Sequence, residues 1–191
     1  MRPGELWDFV VVDAGVAGAS AAAWCAMRAP HARVLLLERS AWPRSKVCGS
    51  CLNPGGVRIL EELGVLGEAG MSDPQSLRAH AVPMRRVTVH RGARAATLAH
   101  PGGLVIERSI LDAALVRHAQ NAGVRFEAGC STRIGDRLDR AWTVHIQRGA
   151  STLDVRARIL FIADGLSGTS LSQLPNFAPR VSRASRIGLG A

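Results

Sequence analysis

The sequence lacks the features of several protein classes. Its four cysteines are too few and too scattered for the disulfide framework of a small secreted domain. No low-complexity stretch and no internal repeat is present, which argues against disorder and repeat architectures. The apolar run 9–27 carries Asp13 and two glycines, and it has neither a basic approach nor a cleavage site. This pattern argues against a signal peptide or a membrane span, so the expected location is a reducing cytoplasm.

Lysine is almost absent. Lys46 is the single lysine among 24 basic residues, and the arginines are spread over the whole chain, which has a net charge of +9. The stretch 85–94 is locally basic, as a nucleic-acid interface would be, but it holds no aromatic residue on which bases could stack. We therefore interpret this stretch as a solvated strand face and expect no nucleic-acid partner.

Signals for metal binding and for serine hydrolysis are weak. Cys48 and Cys51 form a Cys-x-x-Cys pair, which is typical of a redox disulfide or of half a zinc site. There is no second cysteine pair and the six histidines show no ligand spacing, so no metal is expected and a structural role is favoured for Cys51. Ser20 and Ser167 lie beside glycines, but neither has the nucleophile elbow and paired histidine that hydrolysis requires.

The chain does contain the pattern of a nucleotide-binding α/β unit. With 191 residues, 47% of them apolar, it is long enough for one domain with a substantial core. An apolar strand is predicted at 9–12, an alanine-rich helix at 17–28 and a second apolar strand at 34–37. A strand, helix and strand of this length predict a crossover between parallel strands.

Later segments predict further helices and antiparallel strands. Asn53 is the expected N-cap of a helix that starts at Pro54 and runs to about Leu63. Ser109 and Asp112 offer a capping arrangement for a helix that ends near residue 121. Strands are expected on either side of a turn at 91–93, at 124–127, in a hairpin at 142–147 and 153–157, and as a separate buried strand at 159–163.

The turn after the first strand carries a dinucleotide fingerprint in altered form. It runs Asp13-Ala14-Gly15-Val16-Ala17-Gly18, where Gly15 lets the backbone approach a diphosphate and Gly18 allows close packing of helix on strand. Glu38 follows about 20 residues later, the distance at which a carboxylate reaches the ribose hydroxyls of an adenosine. The alternative is that these glycines only terminate a strand in an α/β domain without a nucleotide.

Asp13 occupies the place of the first glycine of that fingerprint. A side chain crowds this turn, and a carboxylate would lie near the diphosphate that the helix attracts. Aspartate tolerates unusual backbone angles better than most residues, so we expect the turn to form while affinity for the nucleotide falls.

Taken together, these features resemble the FAD-dependent oxidoreductases that include aromatic-ring hydroxylases, flavin halogenases and geranylgeranyl reductases. The loop Pro43-Arg44-Ser45-Lys46-Val47-Cys48-Gly49 is similar to one that reductase and halogenase members place beside the flavin. The stretch Phe161-Ile162-Ala163-Asp164-Gly165-Leu166-Ser167 is similar to the family's Asp-Gly motif, associated with FAD and reduced nicotinamide. Arg108 lies where the family commonly has an arginine near the ribityl chain and phosphate.

The resemblance implies FAD as cofactor, NAD(P)H as reductant, and a small-molecule or lipid-like substrate in complete relatives, which would be monooxygenases or reductases. The loop slightly favours the reductases. A strand-end charge explains Arg108 equally well, and a solvated loop explains Arg44 and Lys46. The cofactor-binding residues that the resemblance implies are Gly15, Ala17, Gly18, Glu38, Arg39, Lys46, Cys48, Gly49, Arg108, Asp164 and Gly165.

The expected fold class is α/β: a Rossmann-like FAD-binding domain with a parallel sheet, helices on its faces and inserted antiparallel strands. We expect the FAD-binding domain at 1–78 and 105–174, substrate-domain strands beginning at 79–104, and a linker to a missing C-terminal half at 175–191. The resemblance leads us to expect an N-terminal portion of a longer enzyme. The alternative is a non-catalytic remnant that binds FAD weakly or not at all.

Overall fold

The computed structural model describes residues 1–46, 48, 50–67, 76–165, 168–177, 182 and 184. In chain order the helices and strands are β1 (Leu6–Val12), α1 (Val16–Arg28), β2 (Val34–Leu37), β3 (Cys51–Leu52), α2 (Pro54–Glu62), β4 (Val82–Arg91), β5 (Arg94–Val105), α3 (Arg108–Asn121), β6 (Arg125–Glu127), β7 (Ser131–Leu138), β8 (Ala141–Arg148) and β9 (Ser151–Ile162). Short 3-10 helices lie at Leu77–His80 and Pro175–Phe177. The chain divides into a first unit, Met1–Arg44 with Leu115–Leu189, and a second unit, Ser45–Ala114 with Gly190–Ala191.

The first unit is built on a six-stranded mixed sheet in the order β6-β2-β1-β9-β8-β7. β1 pairs in parallel with both β2 and β9, and β6 pairs in parallel with β2. β7, β8 and β9 pair antiparallel. α1 packs against β1, β2 and β9. The predicted α/β class, with parallel strands and inserted antiparallel strands, is confirmed.

Apolar residues of the sheet form the core of the first unit. Val10 and Leu35 pair across the two central parallel strands, and both are buried. The antiparallel strands continue the same layer with Ile134, Val144 and Val155. Continuous burial of β2 along all four residues explains why its sequence is purely apolar, as is usual for a parallel strand covered on both faces.

β9 differs from the two separate strands predicted at 153–157 and 159–163. It is one twelve-residue strand that pairs antiparallel with β8 and continues in parallel beside β1. The prediction that its last part is buried was also wrong, because Ile159 and Phe161 are both exposed. Phe161 instead stacks on Phe9 of the neighbouring strand, with 6.2 Å between ring centroids.

The second unit contains a three-stranded antiparallel sheet in the order β3-β5-β4. The strands on either side of the predicted turn at 91–93 are confirmed, and Arg91 pairs with Arg94 across it. α2 begins as predicted, since Asn53 is its N-cap and accepts a hydrogen bond from the Gly56 amide at 2.8 Å. The two-residue strand β3 was not predicted.

α3 begins at Arg108, two residues earlier than a helix capped by Ser109 would begin. Ser109 lies inside the helix and its hydroxyl hydrogen-bonds the Glu107 carboxylate. Asp112 accepts two hydrogen bonds from Arg108, one turn before it, from Nε and Nη2 at 3.0 Å each. The predicted capping box was therefore wrong, because Ser109 is the second residue of the helix and not the residue before it.

Candidate functional site

The turn between β1 and α1 forms at the carboxyl end of the parallel strands. Asp13 has φ +78°, the left-handed region that favours glycine, and its amide donates to the Leu37 carbonyl at 2.8 Å. Gly15 is the N-cap of α1 and contributes no side chain to cap it. The first amides of a helix lie outside its own hydrogen-bond ladder and attract anions. The start of α1 can therefore receive a phosphate group.

Gly18 allows α1 to lie close to the strand. A Cβ atom at this position would lie 1.8 Å from the Asp13 carbonyl oxygen and 3.3 Å from Cβ of Ala163, at the end of β9. No side chain larger than hydrogen fits the first of these distances. The geometry matches the packing role predicted for Gly18.

Glu38 is 1% exposed and ties the end of β2 to this turn. One of its carboxylate oxygens accepts from the Ser40 amide at 2.8 Å, and the other accepts from the Ala14 amide at 3.2 Å and from Nε of Arg44 at 2.9 Å. Burial by itself raises the pKa of Glu38, but these hydrogen bonds and the Arg44 charge outweigh it and hold the pKa below its ordinary value.

The side chain of Asp13 contacts the groups around the helix start. One of its carboxylate oxygens accepts from the Gly15 amide at 3.1 Å, and the other lies 3.5 Å from Nη2 of Arg44. Arg44 is only 10% exposed and joins the carboxylates of Asp13 and Glu38. From the sequence, a solvated loop explained Arg44 as well as a role near the cofactor did. The structure contradicts the solvated loop, because the Arg44 side chain is largely buried between two carboxylates. The sequence signal for it was the negative charge that Asp13 adds to the turn.

The Asp-Gly motif lies beside the same turn. The Ala163 amide donates to the Val12 carbonyl at 3.0 Å. β1 and β9 are parallel, so Asp164 after β9 lies at the same end of the sheet as Asp13 after β1. The Asp164 carboxylate accepts from the amide and hydroxyl of Ser170. A Cβ at Gly168 would lie 2.1 Å from that carboxylate, and Gly165 has φ +74°. The sequence carried no signal for Ser170, which donates to the Asp164 carboxylate, or for Gly168, which leaves room for it.

The first unit thus brings together Gly15, Gly18, Glu38 and Asp164 at one edge of the sheet. Ala17 is exposed on the first turn of α1. Arg39 is exposed and lines a surface cavity of about 760 Å³ that Arg133, His145 and Asp154 also line. Gly49, and Leu166 and Ser167 of the Asp-Gly motif, lie outside the described residues.

Three predicted residues lie in the second unit. Lys46 and Cys48 are exposed, and Arg108 is 16% exposed. Arg108 and the Ser50 backbone hydrogen-bond Cys48, and these two contacts hold the pKa of the Cys48 thiol below its ordinary value. Burial lowers the pKa of Arg108, but its bonds to Asp112 and Cys48 outweigh this and raise it. Asp112, which the sequence offered only as a cap, is 1% exposed and orients this arginine.

The sequence matches the model of the FAD binding domain family over residues 7–185. The chain belongs to this family. An FAD-binding domain must hold a diphosphate, and the strand-to-helix turn at Gly15 and Gly18 has the backbone for it.

Known proteins similar to this FAD-binding domain include oxidoreductases of more than one kind. Menaquinone reductase of Mycobacterium tuberculosis is 45% identical over 58 residues, which are 30% of this chain and 14% of that protein. p-Nitrophenol 4-monooxygenase of Pseudomonas putida DLL-E4 has a TM-score of 0.73 at 20% identity, covering 88% of this chain and 43% of that one. The myxobacterial chondrochloren halogenase has a TM-score of 0.69 at 27% identity, covering 83% and 37%.

The match covers less than half the length of each of these proteins. In the part of the chain that the structure describes, no helix is long and apolar enough to cross a membrane. The same residues include no group of His, Cys, Asp and Glu arranged to hold a metal ion.

The residues at the turn fit FAD with one departure from the usual pattern. The absence of a side-chain cap on α1 and the lack of space for a Cβ at Gly18 are features that a bound diphosphate requires. Asp13 departs from the pattern, because its carboxylate already accepts the Gly15 amide. A bound diphosphate would lie close to this negative charge.

Proposed function

We propose that this chain is the FAD-binding portion of a flavoprotein oxidoreductase whose flavin is reduced by NAD(P)H. The observation that carries the proposal is the uncapped start of α1 beside Gly15, with Glu38 and Asp164 at the same sheet edge. FAD would supply the redox chemistry, accepting hydride from the nicotinamide and passing electrons to oxygen or to an unsaturated substrate.

In this proposal the residues of the first unit bind and orient the cofactor. The amides at Ala17 and Gly18 bind the diphosphate, since the first amides of a helix have no partner within it. Glu38 accepts from the adenosine ribose, and Asp164 with Gly165 binds further along the dinucleotide. Arg39, Lys46, Cys48, Gly49 and Arg108 complete the proposed set of cofactor contacts.

Among the flavoprotein activities we favour a reductase with a small, lipid-like substrate in a reducing cytoplasm. The support is the 45% identity to menaquinone reductase, together with the Lys46 to Gly49 loop. The choice is tested in a longer protein containing this chain, by following NAD(P)H oxidation and oxygen consumption together. A reductase oxidises NAD(P)H with its unsaturated substrate under nitrogen, whereas a hydroxylase or halogenase requires oxygen.

Weak or absent FAD binding is the competing proposal, and Asp13 favours it. The Asp13 carboxylate accepts from the Gly15 amide, and its other oxygen lies 3.5 Å from Nη2 of Arg44. A negative charge near a diphosphate costs about 1–4 kcal/mol at the effective dielectric of a protein surface. A chain with this turn would then hold FAD only at high concentration.

FAD titration of three variants decides between these proposals. Asp13→Gly removes both the charge and the left-handed strain, while Asp13→Asn removes only the charge, since asparagine also tolerates positive φ. We expect Asp13→Gly to lower the Kd for FAD about tenfold or more, since about 1.4 kcal/mol corresponds to a factor of ten. Asp13→Asn is expected to give part of this gain.

Asp139 offers a matched control for these variants. It also has a positive φ, +48°, but lies in the exposed turn between β7 and β8. Asp139→Gly therefore removes strain without changing the charge near α1, and its Kd should equal that of the unmodified chain. If neither the chain nor Asp13→Gly binds FAD, the flavoprotein proposal is wrong. Tight binding that Asp13→Gly does not improve would reject the inhibitory role of Asp13.

A further inference from the structure

The hairpin formed by β4 and β5 in the second unit presents an exposed apolar face. Val87 pairs with Leu98, and Val89 pairs with Ala96, across the two strands. Because side chains alternate between the two sides of a strand, these four lie on one side, which we call the apolar face. Leu98 is 60% exposed and Val89 is 56% exposed. Neighbouring apolar side chains this exposed are typical of a surface that contacts another molecule.

The opposite face of the hairpin is polar. Thr88 pairs with Thr97, and a hydrogen bond of 3.0 Å joins their two hydroxyl groups. This contact shows directly which side chains share a face. Arg86 and His90 lie on the same face as Thr88, since each is two residues away along the strand. The hairpin is therefore amphipathic, with one apolar and one polar face.

The hairpin carries positive charge with no negative charge to balance it. Residues 82–106 include no aspartate or glutamate, and their four arginines are Arg85, Arg86, Arg91 and Arg94. All four are exposed. Arg91 and Arg94 pair across the strands, two residues beyond Val89 and Ala96, so they lie on the apolar face at the end nearest the turn. Two guanidinium groups therefore border the apolar side chains.

The charge and the apolar face together select the kind of partner. A second copy of the chain would bring one net charge of +9 against another, which opposes association. A nucleic acid would match the arginines, but the hairpin has no aromatic residue on which bases could stack, and the apolar face would stay in water. A bilayer with anionic headgroups offers negative charge and an apolar interior at the same surface.

We propose that the β4–β5 hairpin binds the surface of membranes that contain anionic lipids. The apolar face enters the boundary between headgroups and acyl chains, while Arg91 and Arg94 lay their apolar stems along it and bind the headgroup anions. β4 is the edge strand of its sheet, and its edge stays at the hydrated headgroups, because unpaired backbone groups do not enter hydrocarbon. This inference is independent of whether the chain binds FAD.

Vesicle flotation of the full chain tests the proposal. Vesicles of phosphatidylcholine alone are compared, at physiological salt, with vesicles of two parts phosphatidylcholine to one part phosphatidylserine. We expect binding to the phosphatidylserine vesicles to be about thirtyfold stronger or more, because two arginines near an anionic surface contribute about fivefold each. Salt at about 1 M, where the Debye length is about 3 Å, should remove most of this difference. Equal binding to the two kinds of vesicle would overturn the proposal.

Two double variants separate the charge from the apolar contact. Arg91→Gln with Arg94→Gln should weaken binding to the phosphatidylserine vesicles about thirtyfold. Val89→Thr with Leu98→Thr should weaken it about tenfold or more, because burial of a single such side chain contributes about that factor. Threonine favours strands, so the hairpin is preserved. If only the arginine variant loses binding, the hairpin is a general polyanion site, as for a nucleic acid, and the lipid proposal is wrong.

Arg117→Gln with Arg140→Gln is the matched control. Both arginines are exposed and belong to the first unit, and the net charge falls by the same amount as in the hairpin variant. We expect vesicle binding to change by less than about twofold, because charges more than a Debye length from the bound surface are screened. An unchanged melting temperature by circular dichroism reports that each variant is folded. A control loss as large as that of the hairpin arginines would show that net charge, and not the hairpin, causes binding.

Discussion

Helix α1 follows Gly15, which has no side chain to cap it, whereas α2 follows Asn53, whose Oδ1 accepts from the Gly56 amide at 2.8 Å. Both helices have a glycine at their third position, Gly18 in α1 and Gly56 in α2. The start of α2 is satisfied by a neighbouring side chain. In the turn before α1, Glu38 accepts from the Ala14 amide and the Asp13 carboxylate accepts from the Gly15 amide. The turn before α1 is therefore held partly by Glu38 at the end of another strand, whereas α2 is capped by the residue directly before it.

Among the variants that compare the two helix starts, Glu38→Ala should lower the unfolding free energy the most. It removes a buried carboxylate that accepts from Nε of Arg44 and from two amides, and breaking a buried ion pair costs about 3–5 kcal/mol. Urea unfolding followed by tryptophan fluorescence reports this loss, because Trp7 and Trp142 both pack in the core of the first unit.

The exposed pair of Arg58 and Glu62 on α2 provides the control. Glu62→Ala should change the stability of that helix by less than about 0.5 kcal/mol, as for other exposed ion pairs, when amide hydrogen exchange of α2 is measured. Equal losses of stability in Glu38→Ala and Glu62→Ala would show that burial of Glu38 does not make its contribution larger than that of an exposed carboxylate.

Gly18→Ala and Gly56→Ala should act in opposite directions. At Gly18 the new Cβ would lie 1.8 Å from the Asp13 carbonyl oxygen, so strain should destabilise the first unit by about 2–3 kcal/mol. At Gly56 the nearest atom is Cδ2 of Leu52 at 3.4 Å, an ordinary contact, and the higher helix propensity of alanine should stabilise α2 by about 0.5–1 kcal/mol. Hydrogen exchange within each helix measures both effects. Stabilisation by Gly18→Ala would contradict the close packing described here.

The pH dependence of stability should distinguish the Glu38 contact from the local cap of α2. The folded pKa of Glu38 lies below its ordinary value of 4.5, so its contribution is fully present above that pH and is lost as the pH falls through the folded pKa. The difference in unfolding free energy between the chain and Glu38→Gln should shrink as the pH falls below about 4.5. A difference that stays constant or grows would show that the carboxylate is not ionised in the fold.

Asn53→Ala should destabilise the chain less than Glu38→Ala or Gly18→Ala does. Loss of the side-chain cap should destabilise α2 by about 1 kcal/mol, because one helix amide loses its acceptor. Faster hydrogen exchange of the Gly56 amide, with unchanged exchange in α1, is the expected result. Asn53→Asp serves as the control, since aspartate also caps and should preserve the protection.

The features that sequence predicted are those with a local signal. The apolar run at β2, the alanine-rich α1 and the Asn53 cap each follow from neighbouring residues alone. β7 was not predicted, because its sequence alternates weakly and its pairing with β8 decides its conformation. The Arg44 bridge was missed for a similar reason, since it joins side chains from two separate turns. Ser109 misled the helix prediction because Arg108, one residue earlier, takes the carboxylate expected to complete the cap.

Because β9 pairs with both β8 and β1, an error of register in one pairing also changes the other. Its first half is in register with β8 and its second half with β1, so both neighbours share one continuous backbone. A slip by a single residue would turn Val155 and Ala157 outward and at the same step rotate Asp164 away from Ser170. A hairpin paired in the wrong register therefore could not form together with the observed contact between Asp164 and Ser170.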